Sequence, residues 1–256
     1  MATLFSTSVD GTRIAYDVSG DSRSSGPALM LLHGAGKTRR DWHKLGYVER
    51  LKDDFTVITV DIRGAGDSDC LYDVADYGIE KICEDLYAVA DACGVDEFAV
   101  WGFSFGGSIA RYLGAWSDRV TAIAVIGVPF GPAVHEEFDR FIDQFLKKWE
   151  SVILAAREGS APQSKGKIKG QIPALAACFQ AMRDWPSVEP SEVACPALLL
   201  TGAKNTSTLN WVEANRGALD AAGVQVEVVE GLVHDQEFTK IDCVFPVVSA
   251  FFRSQG

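Results

Sequence analysis

Six short apolar runs, separated mostly by segments with helical periodicity, are the feature that most constrains how this chain can fold. They read ALMLLHG, FTVITVD, FAVWGFS, TAIAVIGV, ALLLTG and VQVEVVEG, and each is too short to be a buried helix. Strands that are buried on both faces lose their alternation of polar and apolar residues, so such runs are typical of a parallel sheet covered by helices on both sides. The sequence predicts an α/β protein with a doubly wound, mainly parallel sheet. Two further runs flank the turn at Val9 to Gly11 and predict an antiparallel hairpin over Leu4 to Val18.

The alternation is interrupted once, between Val128 and Cys195. The segment EEFDRFIDQFLKKWESVI carries one apolar face and predicts an amphipathic helix. The stretch REGSAPQSKGKIKG, Arg157 to Gly170, predicts a mobile loop, and a shorter apolar segment follows around Ile172 to Met182. We therefore predict a core made of residues 1–128 and 192–256, with residues 129–191 inserted as a helical lid. An ordinary pair of surface helices would explain the apolar face equally well.

The amino-acid composition and net charge of the chain limit the kinds of molecule that it is expected to bind. The chain has 256 residues, of which 47% are hydrophobic, and a formal net charge of -11. That charge would repel the phosphate backbone of a nucleic acid and an anionic membrane surface. The N-terminal segment does not resemble a secretion signal, and no apolar run reaches the roughly 20 residues of a membrane span. We expect a cytoplasmic protein that binds neither nucleic acid nor membrane.

The sequence offers no cofactor or metal motif. HGAGKT, His33 to Thr38, ends like a phosphate-binding loop, but Leu31 stands where that motif needs its first glycine. RGAGDSD lacks the third glycine of the dinucleotide motif. The six cysteines are scattered, without a C-x-x-C pair or a histidine at metal-ligand spacing. We predict no cofactor, no metal and no disulfide framework.

Gly102 to Gly106, GFSFG, matches the pattern G-x-S-x-G between an apolar run and a helical segment. In that pattern the serine lies in a strained turn and its flanking residues must be small, so that strand and helix can approach each other. The pattern makes Ser104 a candidate nucleophile whose hydroxyl lies at the N-terminus of a helix. A plain glycine turn between strand and helix remains the alternative until a base and an oxyanion site are found.

Two other segments supply those partners. LLHGAG, Leu31 to Gly36, ends an earlier run, and the backbone N–H of Ala35 is expected to form an oxyanion hole together with that of Phe105. Of the four histidines, His234 follows the last apolar run and lies after Ser104 in the chain, as the general base does in this arrangement.

With these five ordered motifs, HGAG, DIRGAGDSD, GFSFGG, LLLTGAKN and GLVH, the chain resembles an α/β-hydrolase-fold serine hydrolase with a short lid. The resemblance implies hydrolysis of small to medium carboxylic esters or lactones through an acyl-enzyme, in a pocket made apolar by the lid and by Trp101 or Phe103. It also implies structural roles for Arg63 and Asp67. A serine nucleophile disfavours the mechanisms of epoxide hydrolases and haloalkane dehalogenases, which use aspartate.

One position departs from the family pattern: Asn205 stands where the acid of the catalytic triad is usual. An asparagine can orient the histidine through its amide oxygen, but it cannot stabilise an imidazolium as a carboxylate does. Three explanations stay open: a disabled variant, a weak or non-hydrolytic member that only binds ligands, or a substitute acid, for which Asp235 is the nearest candidate. On this basis Asn205→Asp is expected to raise kcat.

Overall fold

An eight-stranded sheet forms the centre of the computed structural model, which describes residues 3–20, 26–159 and 168–255. The strand order is β1-β2-β4-β3-β5-β6-β7-β8. The first two strands form the predicted antiparallel hairpin, β2 pairs antiparallel with β4, and all other pairs are parallel. The α/β fold class is therefore confirmed. The strands are β1 (Leu4–Thr7), β2 (Arg13–Ser19), β3 (Ala28–Leu32), β4 (Thr56–Val60), β5 (Phe98–Phe103), β6 (Val120–Ile126), β7 (Ala197–Gly202) and β8 (Gln225–Val229).

Ten α-helices within the described residues connect and cover the strands. No helix in these ranges is long and apolar enough to cross a membrane. The helices are α1 (Arg39–Lys44), α2 (Tyr47–Leu51), α3 (Ile79–Ala92), α4 (Phe105–Trp116), α5 (Glu136–Arg157), α6 (Ile168–Ala181), α7 (Thr206–Ala214), α8 (Arg216–Ala221), α9 (Gln236–Thr239) and α10 (Ile241–Arg253), with 3₁₀ turns at Val74–Tyr77, Met182–Asp184 and Pro190–Glu192.

The sheet has an apolar cluster on each face, which explains why the central strands β3 and β5 are buried throughout and show no polar alternation. In β3, Met30 and Leu32 contact the cluster that includes α3 and α4. Leu29 and Leu31 contact the opposite cluster, where α1, α2 and α10 pack. Because successive side chains of a strand point to opposite faces, a strand covered on both sides must be apolar at every position.

The segment between β6 and β7 contains α5 and α6 and shares its core with the sheet. Phe130, Ala177 and Val188 of this segment are fully buried in the cluster of α3 and α4. Trp185 Nε1 also donates a hydrogen bond to the backbone oxygen of Tyr77, at 3.0 Å. The boundaries of a lid at residues 129–191 stay a prediction. Of the predicted mobile loop, residues 160–167 lie outside the described residues.

Close packing between β3, β5 and α4 depends on two glycines. A Cβ atom added at Gly102 would overlap the backbone of Gly106, and one added at Gly106 would overlap the carbonyl group of Leu32. These contacts involve backbone atoms, which cannot rotate away as a flexible side chain can. The glycines thus let the helix start directly against the carboxyl end of the sheet.

We expect Gly106→Ala to lower the free energy of unfolding by about 1–3 kcal/mol, the usual cost of overpacking. Gly217→Ala is the matched control, because Gly217 lies in α8 with no atom within 4 Å of an added Cβ. That change should stabilise the protein by up to about 1 kcal/mol, since alanine restricts the unfolded chain and favours the helix. Urea denaturation measures both changes, and equal effects would contradict the packing explanation.

Candidate active site

Ser104 lies in a strained turn between β5 and α4. Its φ is 53° and its ψ is -114°, and it is the one non-glycine residue with positive φ among those described. Such a conformation costs free energy and persists only where the surrounding structure enforces it. Here the packing of Gly102 and Gly106 enforces it, and the turn holds the Ser104 hydroxyl at the carboxyl edge of the sheet.

His234 faces this hydroxyl from the loop after β8. Its Nε2 lies 2.9 Å from Ser104 Oγ, a hydrogen-bond distance. The ring of Phe103 stacks on the imidazole, with 5.1 Å between the ring centroids. The stack fixes the plane of the imidazole, so that Nε2 stays directed at the serine.

The other imidazole nitrogen contacts a glutamate that the sequence analysis missed. Glu237 Oε2 lies 2.9 Å from His234 Nδ1, and the carboxylate is fully buried. Its second oxygen accepts hydrogen bonds from the backbone N–H of Gly202, at 2.6 Å, and from the Thr201 hydroxyl, at 3.1 Å. Burial of a carboxylate is costly unless donors replace the water that it loses, and these contacts supply such donors.

Asn205 donates to the glutamate instead of replacing it. Its Nδ2 lies 3.0 and 3.2 Å from the two oxygens of Glu237 and 3.0 Å from the carbonyl oxygen of Gly127. The amide has only two hydrogens, and these three acceptors share them. Nδ2 is also 3.3 Å from His234 Nδ1. His234 Nδ1 lies closer to the Glu237 carboxylate, at 2.9 Å, which is its hydrogen-bond acceptor. The Asn205 amide therefore contacts mainly Glu237 and does not replace it as the partner of His234.

A glycine at the end of β6 leaves room for this pair. A Cβ atom added at Gly127 would overlap Glu237 Oε2 and would lie 2.8 Å from His234 Nδ1. The carboxylate therefore occupies the space above Gly127 that any larger residue there would fill. The side chain enters this space from α9, one helical turn after the histidine.

Asp235, the substitute acid considered from the sequence, points elsewhere. Its carboxylate forms an ion pair with Lys37 Nζ at 2.8 Å, and the side chain is 67% exposed. The signal that could have identified Glu237 is its spacing, because residues three apart on a helix lie on the same face. The sequence VHDQEF offers two carboxylates, and only the one at this spacing is buried beside the ring.

The predicted oxyanion residues lie at the same site. Ala35 and Phe105 border the cavity beside Ser104, and neither backbone N–H has an acceptor among the described residues. His33 fixes the loop: Nδ1 lies 2.9 Å from the carbonyl oxygen of Gly34, and the backbone N–H of Ile62 donates to Nε2 at 3.2 Å. Burial lowers the pKa of His33, which keeps the ring neutral with one donor and one acceptor.

A cavity of about 530 Å³ opens above Ser104 and His234. Of the two alternatives that the sequence offered, Phe103 borders this cavity and Trp101 does not. Trp101 lies on the same face of β5 as Phe103 but further from the strand end, where it is buried and packs edge-on against Trp42 and Tyr47. Most of the apolar wall comes from the inserted segment, namely Phe138, Phe141, Phe145, Leu175, Phe179 and Met182.

Arg63 and Asp67 lie in buried or partly buried ion pairs rather than at this cavity. Arg63 contacts Asp85 at 2.6 Å and Asp10 at 3.0 Å. Asp67 contacts Arg39 at 3.0 Å and Arg40 at 2.6 Å. These contacts fit the structural roles that the resemblance implies.

The family model described as "alpha/beta hydrolase fold" matches residues 27–171. Among curated proteins, the chain is 29% identical to Epoxide hydrolase 3 of Xenopus tropicalis over 128 residues, which are 49% of this chain and 34% of that protein. The chain thus spans about a third of that relative's length.

Solved structures with a similar fold include an enol-lactonase and an esterase. The enol-lactonase from Burkholderia xenovorans LB400 has a TM-score of 0.73 and 18% identity, covering 98% of this chain and 100% of the other. The thermophilic esterase from Thermogutta terrifontis has a TM-score of 0.76 and 21% identity, covering 100% and 99%. At these identities the similarity concerns the fold alone.

The geometry predicts that Ser104 reacts with an organophosphonate fluoride to give one adduct, because His234 can accept the hydroxyl proton. Ser104→Ala should give none. Glu237→Gln should slow the reaction by about 10²-fold or more, because His234 loses the carboxylate that orients it as the general base. Asp235→Asn is the matched control and should react at the wild-type rate. Intact-mass spectrometry measures each rate, and equal labelling of wild type and Ser104→Ala would contradict the assignment of the nucleophile.

Proposed function

Because the chain belongs to the alpha/beta hydrolase fold family, we propose that it is a serine hydrolase that cleaves small to medium carboxylic esters or lactones. Ser104 is the nucleophile, His234 the general base and Glu237 the carboxylate that orients the histidine. The backbone N–H groups of Ala35 and Phe105 form the oxyanion hole. Asn205, which the sequence analysis considered at the acid position, holds Glu237 in place.

The observation that carries this proposal is the continuous series of contacts from Ser104 Oγ to His234 Nε2 and from His234 Nδ1 to Glu237, each 2.9 Å long. A serine hydroxyl is a weak nucleophile until a base removes its proton. The carboxylate fixes the imidazole tautomer in which Nε2 is free to accept that proton, and it stabilises the imidazolium that forms. The proposal therefore assigns a separate task to each of the three side chains.

The reaction proceeds in two halves. Ser104 Oγ attacks the ester carbonyl while its proton moves to His234 Nε2, and the two N–H groups stabilise the tetrahedral oxyanion. The intermediate then releases the alcohol, which takes the proton from Nε2, and an acyl-serine ester remains. Water attacks this ester by the same route, with His234 as base, and the carboxylic acid leaves while Ser104 regains its proton.

The nucleophile distinguishes this proposal from epoxide hydrolysis, the activity in the name of the curated relative. An aspartate nucleophile attacks an epoxide and forms an ester that water later cleaves. This chain has Ser104 at that position, and its hydroxyl contacts a base directly. Ester and lactone cleavage is the chemistry for which this pair is suited.

The alternative of a ligand-binding protein without turnover rested on the amide at Asn205. Asn205 no longer favours a binding protein without turnover, because the buried carboxylate of Glu237 contacts His234. The proposal is tested by incubating the protein with p-nitrophenyl butyrate. Many turnovers per protein, abolished in Ser104→Ala, are expected, and a single stoichiometric burst or no release at all would contradict hydrolysis.

We predict opposite outcomes at two neighbouring acidic residues. Glu237→Gln should lower kcat for p-nitrophenyl butyrate by up to about 10⁴-fold, the effect of the equivalent change in a serine protease. Asp235→Asn should leave kcat within a few-fold of wild type, because Asp235 is exposed and paired with Lys37. The absorbance of released p-nitrophenol measures kcat for both variants. Equal losses of kcat in the two variants would contradict the role of Glu237.

We also predict that Asn205→Asp lowers kcat at neutral pH, by about 10-fold or more, contrary to the expectation from sequence. It replaces the donor at 3.0 Å from Glu237 with a second carboxylate. Two carboxylates at this distance repel each other, and Glu237 also loses the donor that held it, so its oxygen no longer stays directed at His234 Nδ1. A rise in kcat would show that Glu237 is not the working acid.

A further inference from the structure

Three polar side chains form a row along α4 beneath the cavity. Ser104, Ser108 and Arg111 follow the spacing i, i+4, i+7, which places them on one face of a helix. All three border the same cavity. Seven residues at about 1.5 Å each put Arg111 about 10 Å along the helix from Ser104. The row therefore extends from the nucleophile towards the far wall of the cavity.

Arg111 is buried without a carboxylate partner. It is 1% exposed, and no described residue forms an ion pair with it. Its hydrogen bonds come from one nitrogen, Nη1, which donates to the carbonyl oxygens of Pro129 at 2.6 Å and Gly131 at 3.2 Å. Its Nε is buried and has no acceptor. Nη1 therefore holds the guanidinium against this backbone, and Nε is enclosed by protein rather than open to the cavity.

The other two buried arginines of the described chain are neutralised. Arg39 contacts Asp17, Asp61 and Asp67, and Arg63 contacts Asp85 and Asp10. Burial lowers the pKa of Arg111 to about 10, with Glu189 opposing this shift, so the side chain still carries its charge at neutral pH. A buried charge without a counter-ion is costly. Glu189 attracts this charge but forms no ion pair with it.

Ser108 supplies a second group without a partner. It is 4% exposed, and its hydroxyl forms no hydrogen bond with any described residue. It lies between Ser104 and Arg111 in the row. A hydroxyl donor at the cavity wall, with a guanidinium that has no ion-pair partner further along the same row, favours an anionic group such as a carboxylate.

We propose that the substrate carries a carboxylate that binds the Ser108 hydroxyl and is attracted by the buried charge of Arg111, while its ester or lactone carbonyl lies at Ser104. This inference rests on the proposed hydrolase function and specifies its substrate class as carboxylate-bearing esters or lactones. The aromatic wall from α5 and α6 packs against the apolar atoms between the two groups. The net charge of -11 would repel such a substrate, so a local cation is needed to bind it.

The test compares two p-nitrophenyl esters of equal shape: the monoester of adipate, which ends in a carboxylate, and that of adipamate, which ends in a neutral amide. Wild type should favour the adipate ester in kcat/KM by about 10- to 100-fold, the value of a charge-assisted hydrogen bond. The preference should come mainly from KM. A wild type that favours neither ester, or favours the amide, would overturn the proposal without any variant.

Two variants separate recognition from structural support. Arg111→Gln keeps a donor but removes the charge, so the preference for the adipate ester over the adipamate ester should disappear, whatever change in rate the two esters share. Arg111→Lys should retain part of the preference. If both esters slowed equally in these variants and the preference stayed, Arg111 would be a structural residue and the proposal would be overturned.

Failure of the proposed function gives a different result. If wild type cleaves no ester, calorimetry with hexanoate and hexanamide measures the site directly. Binding of hexanoate that Arg111→Gln abolishes would keep the carboxylate site and overturn the hydrolase. Turnover of the neutral ester without preference for the charged one would keep the hydrolase and overturn the carboxylate site.

Discussion

The contact between the buried carboxylate of Glu237 and His234 Nδ1 is the interaction on which the site depends. A buried carboxylate is stable only where donors replace the water that it loses. Gly202, Thr201 and Asn205 supply those donors. The end of β7 and the residues that follow it therefore fix the position of the Glu237 carboxylate. The carboxylate in turn fixes the orientation of the His234 imidazole.

Backbone geometry determines where these groups can meet. Gly127 leaves the space above the end of β6 that Glu237 fills, and Gly106 lets α4 start close enough to β3 to hold Ser104 in its strained turn. The carboxyl ends of parallel strands lie at one edge of the sheet, so residues far apart in the chain converge there. Glycine is required at Gly106 and Gly127 because a Cβ atom at either position would overlap a neighbouring group.

Much of this arrangement could be predicted from sequence. Continuous apolar runs indicate strands buried on both faces, and the order of Ser104 and His234 follows the family pattern. The carboxylate could not be located in this way, because the usual position carries Asn205 and because burial of Glu237 arises from tertiary packing of a four-residue helix. The sequence also could not decide between Trp101 and Phe103 as the aromatic residue at the cavity. Phe103 lies two residues further along β5, and only the end of this strand reaches the cavity.

The most direct test of this account is the proton NMR signal of His234 Nδ1–H. A proton held between the imidazole and a buried carboxylate is strongly deshielded and exchanges slowly with water. We expect a far-downfield resonance in the wild type that persists in Asp235→Asn and Ser104→Ala but is lost in Glu237→Gln. A resonance that survives in Glu237→Gln, or disappears in Asp235→Asn, would contradict the assignment of Glu237 as the partner of His234.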